Sequence, residues 1–132
     1  MTPDQAVGYV LIQSTAVSNI VNGRVYYATK PTTEILPSIN YYDLPHKRIN
    51  GLKNPIFSIN CRAGTARAAR DLGTVVLEEL TGSQGQGKYG TVNGPKDNFD
   101  FIQNSLITDN GVKNETENCF NCPIDIMVIT NE

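Results

Sequence analysis

A strand that runs directly into a helix is the feature that most constrains this chain. Apolar residues alternate with polar ones here, the apolar set being Phe57, Ile59, Cys61 and Ala63 and the polar set Ser58, Asn60 and Arg62. A period of two predicts a strand with one dry face and one wet face. After Gly64-Thr65, apolar positions recur at helical spacing, at Ala69, Leu72, Gly73, Val76 and Leu80. This order of elements indicates a building block rather than a catalyst.

The composition fits one α+β domain. The 132 residues are 39% hydrophobic and 18% charged, and a chain of this size buries roughly two-thirds of its unfolded surface. Asn, Thr and Gly are plentiful, which favours a loop-rich α+β domain over a helical bundle. The net charge of −2 is too small to predict a nucleic-acid or membrane partner through bulk attraction.

Targeting signals and cysteines give expectations about the compartment. We see no basic leader with an apolar core and cleavage site, and no apolar run long enough to span a bilayer. We therefore expect neither secretion nor membrane insertion. The three cysteines are an odd number, which fits a reducing compartment better than a disulfide framework.

The amino-terminal residues predict one helix. Thr2 can cap it, Pro3 suits its first position, and Gln5 can complete a capping box. Its apolar positions are Val7, Val10, Leu11, Val17 and Val21, with Ser14 filling the vacant turn. Asn22-Gly23 supplies the left-handed residues that end helices.

The rest of the chain predicts five strands and a second helix, in the order α-β-β-β-α-β-β for the whole chain. We expect a mixed or antiparallel sheet packed against two main helices. The strands are predicted at Arg24–Ala28, Ser38–Leu44, Pro55–Ala63, Phe99–Ile107 and Ile124–Thr130, and the helix at Thr65–Thr81. Polar residues predict a turn over 45–51, a Gly-rich loop over 81–95, and a long connection over 108–122.

Charge is divided between the middle and the end of the chain. The basic residues of the middle are Lys47, Arg48, Lys53, Arg62, Arg67 and Arg70, whereas acidic residues dominate from Asp97 onward. Such a domain could pair with copies of itself, one surface against the other. The alternative is two solvated faces that never meet.

The Gly-rich loop nearly matches a phosphate-binding motif. Residues 82–89 read GSQGQGKY, whereas the motif G-x-x-x-x-G-K-[ST] requires a hydroxyl residue last, a strand before and a helix after. Here Tyr89 takes the last position, a helix precedes, and Gly90 to Pro95 cannot form a helix. This favours a flexible loop over a nucleotide-binding site. Lys88 and Tyr89 also suit a segment that orders on a neighbouring protein surface.

No other motif predicts a metal, cofactor or catalytic site. Cys119 and Cys122 form a lone C-x-x-C, and only Cys61 and His46 could join them, from distant elements. Pro123 follows the motif where a redox pair would normally begin a helix. We interpret the cysteines as small apolar residues near a strand start, and His46 as an exposed turn residue.

Basic side chains are the strongest candidates for an interface. Arg62 is predicted on the polar face of its strand, and Arg67 and Arg70 on the first turns of the following helix, where cations oppose the helix dipole. An acidic partner surface or a phosphate would offset that cost, although these arginines could also contact only water. The predicted interface residues are Lys47, Arg48, Lys53, Arg62, Arg67, Arg70, Lys88 and Tyr89.

Several segments together resemble a known family. They are Asn22-Gly23-Arg24-Val25-Tyr26 after the first helix, the extended Ile39-Asn40-Tyr41-Tyr42, the strand Phe57-Ser58-Ile59-Asn60-Cys61, the helix Thr65-Ala66-Arg67-Ala68-Ala69-Arg70-Asp71-Leu72, and the closing Ile124-Asp125-Ile126-Met127-Val128. In this order they are similar to the tail terminator, or tail completion, proteins of tailed bacteriophages. The longer Gly-rich loop and the Cys119–Cys122 insert depart from that pattern.

The resemblance implies a structural virion protein without cofactor or active site. Copies would form a ring, typically a hexamer, that caps the tail tube, stops its polymerisation and receives the head connector in the phage neck. Double-stranded DNA would pass through the lumen without sequence readout, and assembly would occur in the host cytoplasm. The alternatives are another ring of the neck or tail (a stopper, a head-completion adaptor or a tube subunit), or a small nucleotide-binding domain that uses the Gly-rich loop.

Overall fold

The computed structural model describes residues 2–29, 34–44, 55–82, 90–94 and 96–130. Within these ranges the chain forms an α+β fold, as predicted from the sequence. The helices are α1 (Pro3–Gln13), α2 (Thr15–Val21) and α3 (Ala66–Thr81). The strands are β1 (Val25–Tyr27), β2 (Ser38–Leu44), β3 (Ile56–Ala63), β4 (Gly90–Asn93), β5 (Asn98–Asp109), β6 (Lys113–Thr116) and β7 (Cys119–Thr130). The predicted turn over 45–51 lies outside the described residues.

The amino-terminal segment forms two helices, so the prediction of one helix is wrong. Ser14 has extended backbone dihedrals and ends α1. Its side chain accepts a hydrogen bond from the Val17 amide at 3.2 Å and so caps α2. The Ser18 hydroxyl donates to the carbonyl of Ile12, which the break leaves without its helical partner. The capping box at Thr2 and Gln5 and the left-handed Asn22 that ends α2 agree with the sequence.

The strands form one mixed sheet in the order β1-β2-β3-β7-β5-β4. Strand β1 runs parallel to β2, and every other pairing is antiparallel. Strands β5 and β6 follow one another along the same partner, since β6 pairs with residues 119–121 of β7 and β5 with residues 124–130. The sequence-based expectation of a mixed or antiparallel sheet is therefore confirmed, and the parallel pairing of β1 with β2 makes the sheet mixed.

Two segments predicted as loops contain strands. Residues 90–93 form β4 against the start of β5, although 81–95 was predicted to be a loop. The predicted polar connection over 108–122 holds the end of β5, all of β6 and the start of β7. Strands β4 and β6 read GTVN and KNET, so their structure depends on backbone pairing with β5 and β7 rather than on an apolar pattern of their own.

The core lies between the helices and the apolar face of the sheet. The predicted dry face of β3 is confirmed, because Phe57, Ile59, Cys61 and Ala63 are all buried. Helix α3 packs on β3, β5 and β7. A side chain at Gly73 would place its Cβ only 2.8 Å from Sγ of Cys122, so glycine lets α3 approach the sheet closely.

Helix α1 packs across the sheet from one edge strand to the other. It contacts β1 at one edge, β4 at the other, and both other helices. The hydroxyl of Tyr41 on β2 donates to the carbonyl of Asp4 at 2.9 Å, and Gly8 leaves room for that ring. No helix of the described part of the chain has the length and apolar character needed to cross a membrane.

Candidate interaction surface

Three of the eight predicted interface residues can be placed. Arg62 lies on β3, and Arg67 and Arg70 lie on α3. The other five, Lys47, Arg48, Lys53, Lys88 and Tyr89, lie outside the described residues.

Arg62 holds three segments of the chain together. It lies on the polar face of β3, as predicted, but that face is not wet here, because only 11% of the arginine side chain is exposed. One guanidinium nitrogen lies 3.2 Å from Oε2 of Glu34 and 2.8 Å from Oε2 of Glu115. The same nitrogen donates to Sγ of Cys119 at 3.3 Å. Burial alone would lower the pKa of Arg62, but these contacts raise it, so the guanidinium stays charged.

Polar side chains around Arg62 extend this cluster across the sheet. The Ser38 hydroxyl donates to Glu34 at 2.7 Å. The Asn121 amide donates to Glu115 and to Asn60, each at 2.8 Å. Ser38 and Asn121 are buried. Through these hydrogen bonds the cluster joins the segment before β2 to β3, β6 and β7.

Arg70 pairs with the carboxylate at the end of β5. Two guanidinium nitrogens donate to the two carboxylate oxygens of Asp109, one of them at 3.1 Å. The Gly111 amide also donates to Asp109, at 3.0 Å. The hydrogen bonds from Arg70, opposed by partial burial, lower the pKa of Asp109. This planar two-bond geometry is the strong form of an ion pair.

Arg67 is the remaining basic candidate in the described residues. Its side chain is exposed on the first turn of α3, and it has no ion pair with any described residue. The structure therefore does not bring the three arginines together. Arg62 and Arg70 instead contact acidic residues of the same chain, so the basic middle and the acidic end of the sequence pair in part within one molecule.

The three cysteines are buried and form no disulfide. Cys61 and Cys122 are register partners on β3 and β7 and face the core, while Cys119 begins β7. Burial raises the pKa of both Cys61 and Cys122, which keeps them as thiols. This agrees with their interpretation as small apolar residues. Within the described ranges no cluster of potential metal ligands is present, and His46 falls outside them.

The elements beside the Gly-rich loop differ from those of a phosphate-binding loop. Helix α3 precedes the loop and strand β4 follows it, whereas phosphate binding requires a strand before and a helix after. The preceding helix was predicted from the sequence, and β4 agrees with the expectation that residues 90–95 form no helix, although a loop rather than a strand was predicted there. Residues 83–89 themselves lie outside the described residues.

A groove beside α1 was not anticipated from the sequence. It has a volume of about 350 Å³ and is lined by Gln5, Gly8, Tyr9, Ile12, Tyr41, Lys96 and Asp97. Ile12 is 51% exposed at this groove. Burial and the nearby Asp4 raise the pKa of Tyr41 to about 12. The available signal was Ile12 itself, an apolar residue outside the buried spacing of the first helix.

Comparisons with known proteins identify a fold. No family model matches the chain, and no curated protein matches it. The structure is similar to a chain from the virion of a native gene transfer agent particle, with a TM-score of 0.65 and 12% sequence identity. The match covers 97% of this chain and 93% of that chain. At this level of identity the similarity concerns the fold.

Proposed function

We propose that this chain is a structural protein of a phage-like virion. The observation that carries the proposal is the shared fold with a virion chain, which extends over nearly the full length of both chains.

Within the virion, the proposed role is that of a tail terminator. Copies of the chain close into a ring, with six as the expected number, on the end of the tail tube. The ring stops tube growth and receives the head connector, and double-stranded DNA passes through its centre without sequence readout. A cyclic ring uses two different surfaces of each copy, which contact each other around the axis.

Two described surfaces are available for such contacts. One is the first turn of α3 with its exposed Arg67. The other is the groove beside α1, where Ile12 is exposed next to Tyr9 and Tyr41. A surface that presents one exposed arginine and a mostly apolar groove differ in chemistry, and a ring contact joins two different surfaces of each copy.

Deletion of the gene from the particle that encodes it tests the role. Without a terminator, tube polymerisation has no stop, so electron micrographs should show tails longer than those of the wild type and detached from heads. Supplying the intact chain in trans should restore both tail length and attachment. Gold-labelled antibody should mark the head–tail junction of complete particles.

The same deletion separates the other neck and tail roles. Loss of a stopper or head-completion adaptor should leave detached tails of normal length, and loss of a tube subunit should leave no tails. Normal particles from the deletion strain, or antibody label absent from complete particles, would contradict the proposal as a whole.

A further inference from the structure

Strand β5 contains two irregularities that bracket a short central segment. Its register against β7 shifts between Phe101 and Gln103 and again between Leu106 and Thr108. Each shift inserts one extra residue into β5. Side chains alternate between the two faces of a strand. Between the two shifts, the residues that face the core are therefore those that would face outward if the pairing continued without an extra residue.

This register places two side chains unfavourably. Asn104 is only 1% exposed, and neither its amide oxygen nor its amide nitrogen has a hydrogen-bond partner among the described residues. Ile107, three positions later, is 49% exposed. A buried amide without partners is costly, and an exposed isoleucine forgoes the gain from burial.

A slip of one residue would move Asn104 to the outer face and Ile107 into the core, and it would move Leu106, now packed against the core, outward in exchange. Asn104 and Leu106 now lie opposite Val128 and Ile126, whose side chains are buried in the core. After the slip, Ser105 would lie opposite Val128, and Ile107 opposite Ile126.

The slip exchanges side chains of similar character. Isoleucine replaces leucine in the core, and serine replaces asparagine. A serine hydroxyl can bond to nearby backbone, whereas a primary amide needs several partners. The two registers should therefore be close in free energy.

The ends of β5 do not have to move. The two register shifts would merge near residue 102, so Asp109 stays opposite Ile124 and keeps its ion pair with Arg70. Strand β4 pairs only with residues 98–101 of β5. Among the described strands, none pairs with the moving segment on the side away from β7.

We propose that β5 is a strand with two accessible registers, which interconvert by a one-residue slip of residues 103–107 along β7. The slip exchanges the residues that β5 presents on the outer face of the sheet. A neighbouring protein that contacts this face would select one register, so the segment is suited to couple assembly to a local conformational change. This inference does not depend on the proposed role in a tail.

Nuclear magnetic resonance distinguishes the registers directly. The Val128 amide points toward β3, since it donates to the carbonyl of Pro55, the residue directly before that strand. In the alternating antiparallel pattern, even-numbered residues of β7 therefore lie at non-hydrogen-bonded positions relative to β5. At such positions the Hα atoms of paired residues approach closely and give strong cross-strand signals. The present register predicts Hα–Hα contacts from Asn104 to Val128 and from Leu106 to Ile126. The slipped register predicts them from Ser105 to Val128 and from Ile107 to Ile126.

Two matched variants bias the equilibrium in opposite directions. Asn104→Val places a valine opposite Val128 in the present register. Ser105→Val places a valine opposite Val128 in the slipped register. We expect the first variant to show only the present contacts. We expect the second to lose the Leu106–Ile126 contact and gain the Ile107–Ile126 contact. If Ser105→Val does not fold, Ser105→Thr carries the same test with a smaller change. A Ser105 variant that folds and keeps the Leu106–Ile126 contact would overturn the proposal.

Discussion

Among the charged residues that the structure describes, Arg62 should be the one whose removal destabilises the fold most. Arg62→Met would leave Glu34 and Glu115 without their shared cation in a partly buried site. We expect a loss of about 2–4 kcal/mol in the free energy of unfolding, measured by urea denaturation. Arg67→Met is the matched control, because Arg67 is exposed on α3 and its loss should change stability by less than about 0.5 kcal/mol.

The carboxylates supply a second test of this cluster. In a Glu115→Gln background one of the two acidic partners is already neutral, so Arg62→Met should cost less than it does in the wild type. Equal losses for Arg62→Met and Arg67→Met would mean that the contacts of Arg62 add nothing to stability.

Asp109 should make stability depend on pH in the acid range. Its pKa in the folded protein is lowered chiefly by the hydrogen bonds from Arg70. The contribution of the ionised Asp109 to the stability of the fold is therefore complete above the ordinary carboxyl pKa of about 3.9. It is lost as the pH falls through the lowered pKa of Asp109 in the folded protein. Asp109→Asn should cost about 1 kcal/mol at pH 7, and the difference from wild type should vanish in strong acid.

A pH series of urea unfolding curves, from neutral to strongly acidic, measures this difference. Asp71→Asn provides the control, since Asp71 is exposed on the same helix as Arg70. If the Asp109 and Asp71 variants follow the same pH dependence, the Arg70–Asp109 pair does not stabilise the fold.

At the residue level, the sequence predicts which side chains are charged but not which ones meet. Arg62 was correctly placed on the polar face of its strand, yet its partners come from the segment before β2 and from β6. Those contacts depend on the sheet order, in which β7 lies between β3 and β6. No local spacing in the sequence encodes that order.

Ser14 should determine the break between α1 and α2. Its side chain accepts from the Val17 amide, so Ser14→Ala removes a helix cap and should cost about 1 kcal/mol of stability. Ser14→Asp keeps an acceptor at the cap and should be nearly neutral. Thermal unfolding of both variants makes the comparison. A stabilised Ser14→Ala would instead favour the continuous helix that the apolar spacing predicted.

The close contact between α1 and β2 should make two substitutions non-additive. A Cβ at Gly8 would lie 2.2 Å from the Tyr41 hydroxyl oxygen, and the next ring atom is 3.2 Å away. Gly8→Ala should therefore cost about 2 kcal/mol in the wild type. In Tyr41→Phe that oxygen is absent, so Gly8→Ala should cost measurably less.

A double-mutant cycle on unfolding free energies measures this coupling. Tyr41→Phe alone should cost about 1 kcal/mol, since it removes the hydrogen bond to the Asp4 carbonyl. Strictly additive losses would show that the two residues do not contact each other as described.

Among the elements, those with strong periodicity were predicted and those without it were not. Strand β2 matches the prediction, and β3 and α3 match it to within one residue at an end. Strands β4 and β6 are short and polar, and they form because β5 and β7 offer backbone partners. The division at Ser14 was missed because serine also fits the polar side of a helix, and only its extended backbone reveals the cap.

At the level of the whole molecule, the sequence was sufficient for the α+β class and for a sheet that is mixed or antiparallel, but not for the parallel pairing of β1 with β2. Ile12 gave a hint of an exposed apolar surface, but the groove beside α1 itself depends on how α1 lies across the sheet between β2 and the turn before β5. Contacts of this kind join residues far apart in the chain. They follow from the three-dimensional arrangement of the elements rather than from any one of them.

That arrangement also predicts how the molecule unfolds. Helix α1 contacts the sheet at β1 and at β4, and α3 contacts β3, β5 and β7, so neither helix can detach without exposing core residues. We expect one cooperative transition, as the sequence-based prediction of a single domain requires. Far-ultraviolet circular dichroism follows the backbone, and tyrosine fluorescence follows side chains such as Tyr41 next to α1. The two signals should give the same urea midpoint, and Gly8→Ala should lower both equally. Separate midpoints, or a Gly8→Ala effect on the tyrosine signal alone, would mean that α1 unfolds independently of the rest.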